Sequence, residues 1–314
     1  MPHSYDLLVI GDANPDVILG PLDGPLAFGQ QEQLVESGSF TIGGSAAIMA
    51  CGAARLGLDV AFAGRVGDDD AGRYLREALS SRGVDTRALR MDPALPTPLT
   101  VVLTRGDDRA ILTSPGTLTS VDGGDVPEEL LAASRHVHSS SYFLQPRLAA
   151  DLPDLFRTAR TYGATTSLDT QDDPSGEWAG LDAVLAETDI FLPNAQEARH
   201  LTAAATLEAA ARQLAARGPL AVVKNGADGA LCHDGRTLIA APGLPVKVRD
   251  TVGAGDSFDA GFVAATLDGR SPHEALQFAV VCGALSTRAH GGTAAQPTRD
   301  DTLAHLTRTG AHLV

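Results

Sequence analysis

Basic residues are scarce in this chain. Its 314 residues carry 24 Lys and Arg against 39 Asp and Glu, a formal net charge of −15. Nucleic acids and anionic membrane surfaces would repel such a surface, so neither is expected as a partner. A small phosphate-bearing ligand needs only a local site and stays open. Cysteine is nearly missing as well. Cys51, Cys232 and Cys282 are odd in number and far apart. They offer no metal-ligand spacing and no disulfide framework, and read as small buried residues in a reducing, cytoplasmic compartment. No stretch approaches the ~18 uninterrupted apolar residues of a membrane span, and no basic N-terminal region leads into an apolar run. Aromatics make up only 4%, yet 44% of residues are hydrophobic, enough for a large core. No internal repeat, low-complexity tail or interdomain linker is evident, so residues 1–314 read as a single domain.

Several catalytic signatures are missing too. No Gly-x-Ser-x-Gly elbow is present, which removes the support for a Ser-His-Asp hydrolase. The glycine-rich loop at 253–255 lacks the Lys-Ser/Thr of a Walker A, and Phe258 stands where a Gly-x-Gly-x-x-Gly fingerprint needs its third glycine. That fingerprint also belongs after an early strand, which argues against a nicotinamide dehydrogenase. His136, His138, His200 and His233 have no ligand spacing and read as core or surface residues.

What is present centres on Asp250-Thr251-Val252-Gly253-Ala254-Gly255-Asp256-Ser257-Phe258. Residues 246–248 read as a short strand before it, and 256–267 as a helix. A helix N-terminus exposes unpaired N–H groups and partial positive charge. The small residues Gly253, Ala254 and Gly255 let an anion approach the backbone closely, so the loop reads as a phosphate site. Asp256 is the misfit, because a carboxylate repels phosphate. Either it complements the helix N-terminus or it serves as a general base.

The rest reads as an α/β chain. Residues 7–10, 60–63, 136–140, 164–168, 190–192 and 220–224 are apolar strand-like runs. Residues 45–56, 70–81, 146–161, 206–217, 271–289 and 299–308 are helical. Such alternation implies a mostly parallel sheet covered by helices on both faces. Residues 17–19 and 32–40 read instead as antiparallel strands, as do 97–104 and 109–113 around Gly106-Asp107-Asp108. These could form a small separate sheet.

Four shorter constellations admit two readings each. Gly11-Asp12-Ala13-Asn14-Pro15-Asp16 ends the first strand; it is a turn or a set of hydroxyl-binding side chains. Gly43-Gly44 is a bend before a helix with Ser45 as N-cap, or a close approach for a ligand. Asn194 and Glu197 form a capping box, or face one magnesium ion or its waters. Lys224-Asn225-Gly226-Ala227-Asp228-Gly229 is a hairpin turn or a nucleotide-edge loop with Lys224 near phosphate. The acidic Asp68-Asp69-Asp70 reads as helix N-terminal charge rather than a metal site.

Together these pieces resemble the ribokinase-like (PfkB) family of carbohydrate kinases, over essentially the whole chain. The stretch 250–258 is similar almost letter for letter to that family's C-terminal motif. Gly11 to Asp16 resembles its sugar-binding strand end, Gly43-Gly44 its double glycine, Asn194-Ala-Gln-Glu197 its magnesium motif and residues 223–229 its nucleotide loop. The stretch 64–69 also has a counterpart. The resemblance implies a three-layer α/β/α fold with a mostly parallel sheet and a small β lid, inserted at about 15–42 and 97–115. It implies phosphoryl transfer from ATP to a primary hydroxyl of a sugar. Asp256 would be the base, with the N–H groups of 253–256 as an anion hole. Asp12, Asn14, Asp16, Gly43 and Gly44 would bind sugar. Lys224, Asn225, Gly226, Gly229 and Thr251 would bind ATP. Asn194 and Glu197 would organise Mg2+ through water, and Asp250 and Val252 would flank a monovalent cation such as K+. A homodimer through the lid would follow.

Two departures stand out. Ile48 and Val280 occupy positions where the family commonly has Asn, so the acceptor should be less polar, smaller or bound differently, and the base contacts should be apolar. A nucleoside kinase of the same fold is the rival, with Phe28, Phe40 and Tyr142 as a base pocket. A non-catalytic sugar-binding protein on this fold is the other alternative.

Overall fold

The computed structural model describes residues 3–106 and 108–308. In chain order the strands and helices begin with β1 (Tyr5–Ile10), β2 (Asn14–Gly20), β3 (Ser37–Gly43) and α1 (Ser45–Arg55). Next come β4 (Val60–Gly67), α2 (Asp70–Ser80), β5 (Val84–Asp92), β6 (Leu99–Arg105) and β7 (Asp108–Ser114). The middle of the chain forms α3 (Glu128–Ala133), β8 (Ser134–Ser139), α4 (Pro146–Thr161), β9 (Thr165–Leu168), α5 (Asp182–Leu185) and β10 (Ile190–Phe191). After these lie α6 (Ala195–Thr202), α7 (Leu207–Ala215), β11 (Leu220–Lys224), β12 (Ala230–His233) and β13 (Leu238–Ala241). Three helices follow: α8 (Ala254–Leu267), α9 (Pro272–Ser286) and α10 (Arg299–Arg308).

Nine strands form one sheet in the order β13-β12-β11-β10-β9-β8-β1-β4-β5. Pairing is parallel from β11 to β5 and antiparallel at β11–β12 and β12–β13. Leu7 to Ile10 are fully buried because helices cover both faces, which is why β1 shows no polar alternation. One apolar core joins this sheet to α1, α8 and α9; a second lies on the opposite face against α4 and α7. The chain runs from β1 to β4 on one side and to β8 on the other, so strand order reverses at β1. Ligands bind beyond the carboxyl ends of strands at such a reversal.

Between β1 and α1 the chain leaves this sheet. β2 pairs with β3 and β6, and β6 with β7, giving a four-stranded sheet in the order β3-β2-β6-β7. The expected hairpin at 97–113 forms, although Asp107 at its turn lies outside the described residues.

Three local expectations are corrected. Residues 246–248 are not a strand; the last strand ends at Ala241, and Pro242 and Pro245 interrupt the N–H ladder that an extension would need. β3 begins only at Ser37, where pairing with Gly20 starts, so 32–36 are not strand. Ser45 is not the cap of α1. Gly44 holds that position, and Asp12 supplies the acceptors: its carboxylate takes the N–H groups of Ser45 (3.0 Å) and Ala46 (3.1 Å). β5 had no clear sequence signal, because Asp85, Arg87 and Arg90 break the apolar pattern of an edge strand.

Candidate active site

Two cavities meet at the start of α8. The first, about 770 Å³, lies between the carboxyl end of β1 and the small sheet, and both Gly253 and Asp256 line it. The second, about 490 Å³, is walled by the 244–248 stretch and by α9, and reaches Thr251, Ala254 and Gly255. Consecutive residues of one loop therefore face different cavities.

Gly253 is required at this turn. Its φ is +73°, and a Cβ there would sit 2.6 Å from Gly292 Cα. The turn leaves N–H groups free at the helix start. Among the described residues, the N–H groups of Gly253, Gly255 and Asp256 have no acceptor, whereas Ala254 N donates to Thr251 O at 3.3 Å. Three of the four groups expected in an anion hole are thus unpaired.

Asp256 is buried. Burial lifts its carboxyl to about 7, and the nearby charges of Asp169 and Asp12 add to this, while Ser45 and Lys224 oppose it. Ser45 Oγ donates to Asp256 Oδ1 in a short hydrogen bond. Gln171 Nε2 donates to Ser45 Oγ at 2.8 Å and also reaches Asp256 Oδ1 at 3.3 Å.

Behind Asp256 lies an ion cluster. Oxygens of Asp169, Asp256 and Asp259 fall within 4.8 Å of one another, all buried. The ammonium of Lys224 fills the space a cation would need, 2.8 Å from Asp169 Oδ2 and 3.0 Å from Asp259 Oδ2. Burial opposes the charge on Lys224, but Asp169 and Asp259 more than offset it and hold its pKa above the usual range. Lys224 lines the second cavity, and it is also committed to two carboxylates, which the sequence reading of Lys224 near phosphate did not include.

Other predicted residues divide clearly. Asp12, Asn14, Asp16 and Gly44 line the first cavity. Asn14 Nδ2 bridges Asp16 Oδ1 (2.9 Å) and Thr100 Oγ1 (3.1 Å), tying β2 to β6. Burial, then the charge of Asp12, lifts Asp16 to about 7. Gly43 is not on the cavity wall. Its missing Cβ leaves the space that the Asp16 carboxylate occupies. Gly226, Gly229 and Thr251 line the second cavity, but Asn225 does not; its N–H donates to Gly229 O at 2.8 Å and closes the β11–β12 hairpin.

Asn194 and Glu197 form a capping box at α6: Asn194 Oδ1 accepts from Gln196 N and Glu197 N, and Glu197 Oε2 accepts from Asn194 N at 2.8 Å. Asp250 also has both oxygens engaged, Oδ1 by Val252 N (3.0 Å) and Oδ2 by Gly291 N (2.9 Å). It pins the anion loop to the 291 turn. The aromatic base pocket does not assemble. Phe28 is 88% exposed, Phe40 packs against Tyr74 with tilted rings 4.8 Å apart, and Tyr142 is buried; Phe143 lines the first cavity instead. Val280 does wall the second cavity, alongside Leu244 and Phe258, giving it an apolar interior.

Comparison with known proteins shows the family of the chain. The model of the pfkB family carbohydrate kinases matches residues 5–299. The chain belongs to that family. The expectation of an ATP-dependent carbohydrate kinase on a ribokinase-like fold stands. The kinase is 34% identical over 307 residues to an ATP-dependent ribose-1-phosphate kinase of Halopiger xanaduensis, covering 96% of this chain and 97% of the relative. It is 30% identical to a 2-dehydro-3-deoxygluconokinase of Bacillus subtilis, covering 82% and 84%. An Arabidopsis thaliana ribokinase solved with ribose and ATP superposes with a TM-score of 0.83 at 26% identity, over 98% and 99% of the two chains.

Sequence reasoning missed Ser45 as a partner of Asp256, and missed Gln171, Asp259 and Arg109. Asp259 had a signal, since it stands three residues after Asp256 and so shares its helix face. Among the described residues, Arg109 is the one basic side chain on the first cavity's wall, which also carries Asp12, Asp16, Asp172 and Asp256. Its Nη1 lies 3.4 Å from Thr251 Oγ1, so it joins the small sheet to the anion loop. No local pattern links it to residues 142 positions away.

Proposed function

We propose that this kinase moves the terminal phosphoryl group of ATP to a primary hydroxyl of a sugar held in the first cavity, with Asp256 as general base. The observation that carries the reading is the position of the anion loop between two cavities, with Asp256 on the wall of one and Ala254 and Gly255 on the wall of the other. ATP occupies the second cavity, its base against Val280 and Leu244. The free N–H groups of Gly253, Gly255 and Asp256 meet the transferring phosphoryl group, where preorganised donors stabilise developing charge without reorganisation. Asp12, Asn14 and Asp16 orient the sugar. The small sheet acts as a lid on the acceptor.

Magnesium fits at Asn194 and Glu197 only through water, because direct ligation would dismantle the capping box; their oxygen donors suit that hard cation. When bound, it screens the charge of the phosphates. A monovalent cation near Asp250 and Val252 would rely on main-chain carbonyls, since each Asp250 carboxylate oxygen already accepts an N–H group. The kinase works in the cytoplasm as a homodimer joined through the small sheet. Among the described residues no helix is long and apolar enough to cross a membrane.

Arg109 favours a refinement: an acceptor that carries a phosphate or carboxylate away from the reacting hydroxyl. The 34% relative named for ribose-1-phosphate brings sugar phosphates into the test panel. ADP release should be measured with pentoses, hexoses, sugar phosphates, keto-deoxy acids and nucleosides. Turnover with at least one sugar is expected, and Asp256→Asn should lower it by at least ~100-fold, the scale of general-base loss. Undiminished turnover in Asp256→Asn would overturn the mechanism. Sugar binding with no ADP release from any acceptor would favour a binding protein.

A further inference from the structure

We infer that Ser45 and Gln171 are positioning residues that hold Asp256 Oδ1, and so commit Asp256 Oδ2 to the acceptor hydroxyl. The inference rests on the reading of Asp256 as the base. The hydrogen-bond directions around these three residues admit one arrangement. Gln171 Nε2 faces three oxygens: Asp169 Oδ2 at 2.7 Å, Ser45 Oγ at 2.8 Å and Asp256 Oδ1 at 3.3 Å. Two of them belong to carboxylates. A flipped amide would turn its own oxygen onto both, so the nitrogen must point this way. Ser45 Oγ then accepts from Gln171 and has its single proton left to donate, which it gives to Asp256 Oδ1. The two amide hydrogens of Gln171 go to the two nearer oxygens, so Oδ1 takes one hydrogen bond, from Ser45, and Gln171 holds it through Ser45 while packing 3.3 Å from it. Among the described residues Oδ2 has no partner, and Asp256 lines the acceptor cavity.

Backbone strain supports the same conclusion. Gln171 has φ +55°, a left-handed conformation that costs a branched-free but Cβ-bearing residue stability and that favours Gly. It lies three residues beyond β9, just after Asp169, and lines the first cavity. Gln171 N also donates to Asp169 Oδ1 at 3.3 Å, and Asp169 is held by Lys224. The strained turn therefore ties the base to a rigid ion cluster. During transfer the hydroxyl proton passes to Oδ2. The hydroxyl oxygen forms its bond to the γ-phosphorus, and the bridging P–O bond breaks with its electron pair leaving on ADP. A carboxylate free to rotate would present either oxygen and lose the alignment on which near-attack geometry depends.

The test uses the full-length enzyme with ATP, Mg2+ and whichever acceptor in the panel above gives the fastest ADP release. Ser45→Ala, Gln171→Asn and Gln171→Gly are compared with Asp256→Asn and Ser45→Thr. The amide of Gln171→Asn is one methylene too short, although Asn tolerates left-handed backbone. Gln171→Gly relaxes the backbone while removing the amide. All three should lose at least ~10-fold in kcat with KM for both substrates within about threefold, the signature of an interaction that counts only in the transition state. Ser45→Thr keeps the hydroxyl and should recover most of the rate. The melting temperature of Gln171→Gly should not fall. The kcat–pH profile is a second readout: losing or loosening the Ser45 donor to Oδ1 should move its acid limb upward, against a background set by Asp12, Asp169, Lys224 and Asp259. If the three variants keep kcat while Asp256→Asn abolishes it, the positioning role is wrong and the base stands. If all three lose stability in step with kcat, the role is merely structural and the inference falls. If Asp256→Asn itself keeps turnover, the underlying reading fails first.

Discussion

The ammonium of Lys224 lies 2.8 Å from Asp169 Oδ2, and both groups are buried beneath the anion loop. The pair, with Asp259, holds the floor on which α8 begins. Removing one partner of a buried ion pair leaves an uncompensated charge, which costs roughly 3–5 kcal/mol. Lys224→Ala should therefore lower unfolding free energy by about that much in urea titration, as well as impairing catalysis. A variant that keeps wild-type stability but binds ATP weakly would instead make Lys224 a phosphate ligand.

Asp256 must be ionised to accept a proton, and its carboxyl is pushed up to about 7 by burial. Activity should consequently fall on the acid side, with a midpoint near that value in the kcat–pH profile. A profile flat from pH 5.5 to 8 at roughly constant rate would exclude a base so placed.

The same burial has an opposite consequence for stability. Asp16 and Asp256 both have folded-state values raised to about 7 from an ordinary value of 3.8. A carboxyl raised on folding contributes stability below its unfolded pKa and loses it as pH rises through the folded one. Asp16→Asn and Asp256→Asn should each raise the melting temperature relative to wild type at pH 8, and by less at pH 5. Asp12, Asp250 and Arg109 also act on Asp16, so its shift should depend on them.

Arg109 reaches the first cavity, the proposed acceptor site, from the outer strand of the small sheet. Arg109→Ala should lower kcat/KM for acceptors bearing phosphate or carboxylate by at least ~10-fold, and leave neutral sugars nearly unchanged. An equal loss for both classes would assign Arg109 to the transferring phosphoryl group through its contact with Thr251.

Large apolar side chains stand in solvent on and beside the small sheet: Phe28, Leu34, Phe40, Ile111 and Leu112 are each more than half exposed. Exposed apolar surface of this kind suits the proposed contact between two copies of the chain. Light scattering should give a dimer for the wild type and a monomer for Phe28→Glu combined with Leu34→Glu.

The sequence alone determined the α/β/α plan, the second small sheet and the loop at 250–258. Its local signals were strong there: apolar runs of strand length, an antiparallel rhythm at 17–42 and 97–113, and three small residues before a carboxylate. It also supplied both readings of Asn194 and Glu197, because a capping box is a contact within four residues. Only the tertiary structure decided the long-range partners. Ser45 lies one residue inside α1, whose first N–H groups are taken by Asp12 from just beyond β1, and its hydroxyl turns to Asp256, 211 residues on. Gln171 joins them from the end of β9, and Arg109 from a different sheet. Hydrogen bonds between distant segments have no period or spacing along the chain. They exist only once the reversal of strand order at β1 gathers the strand ends around a single cavity.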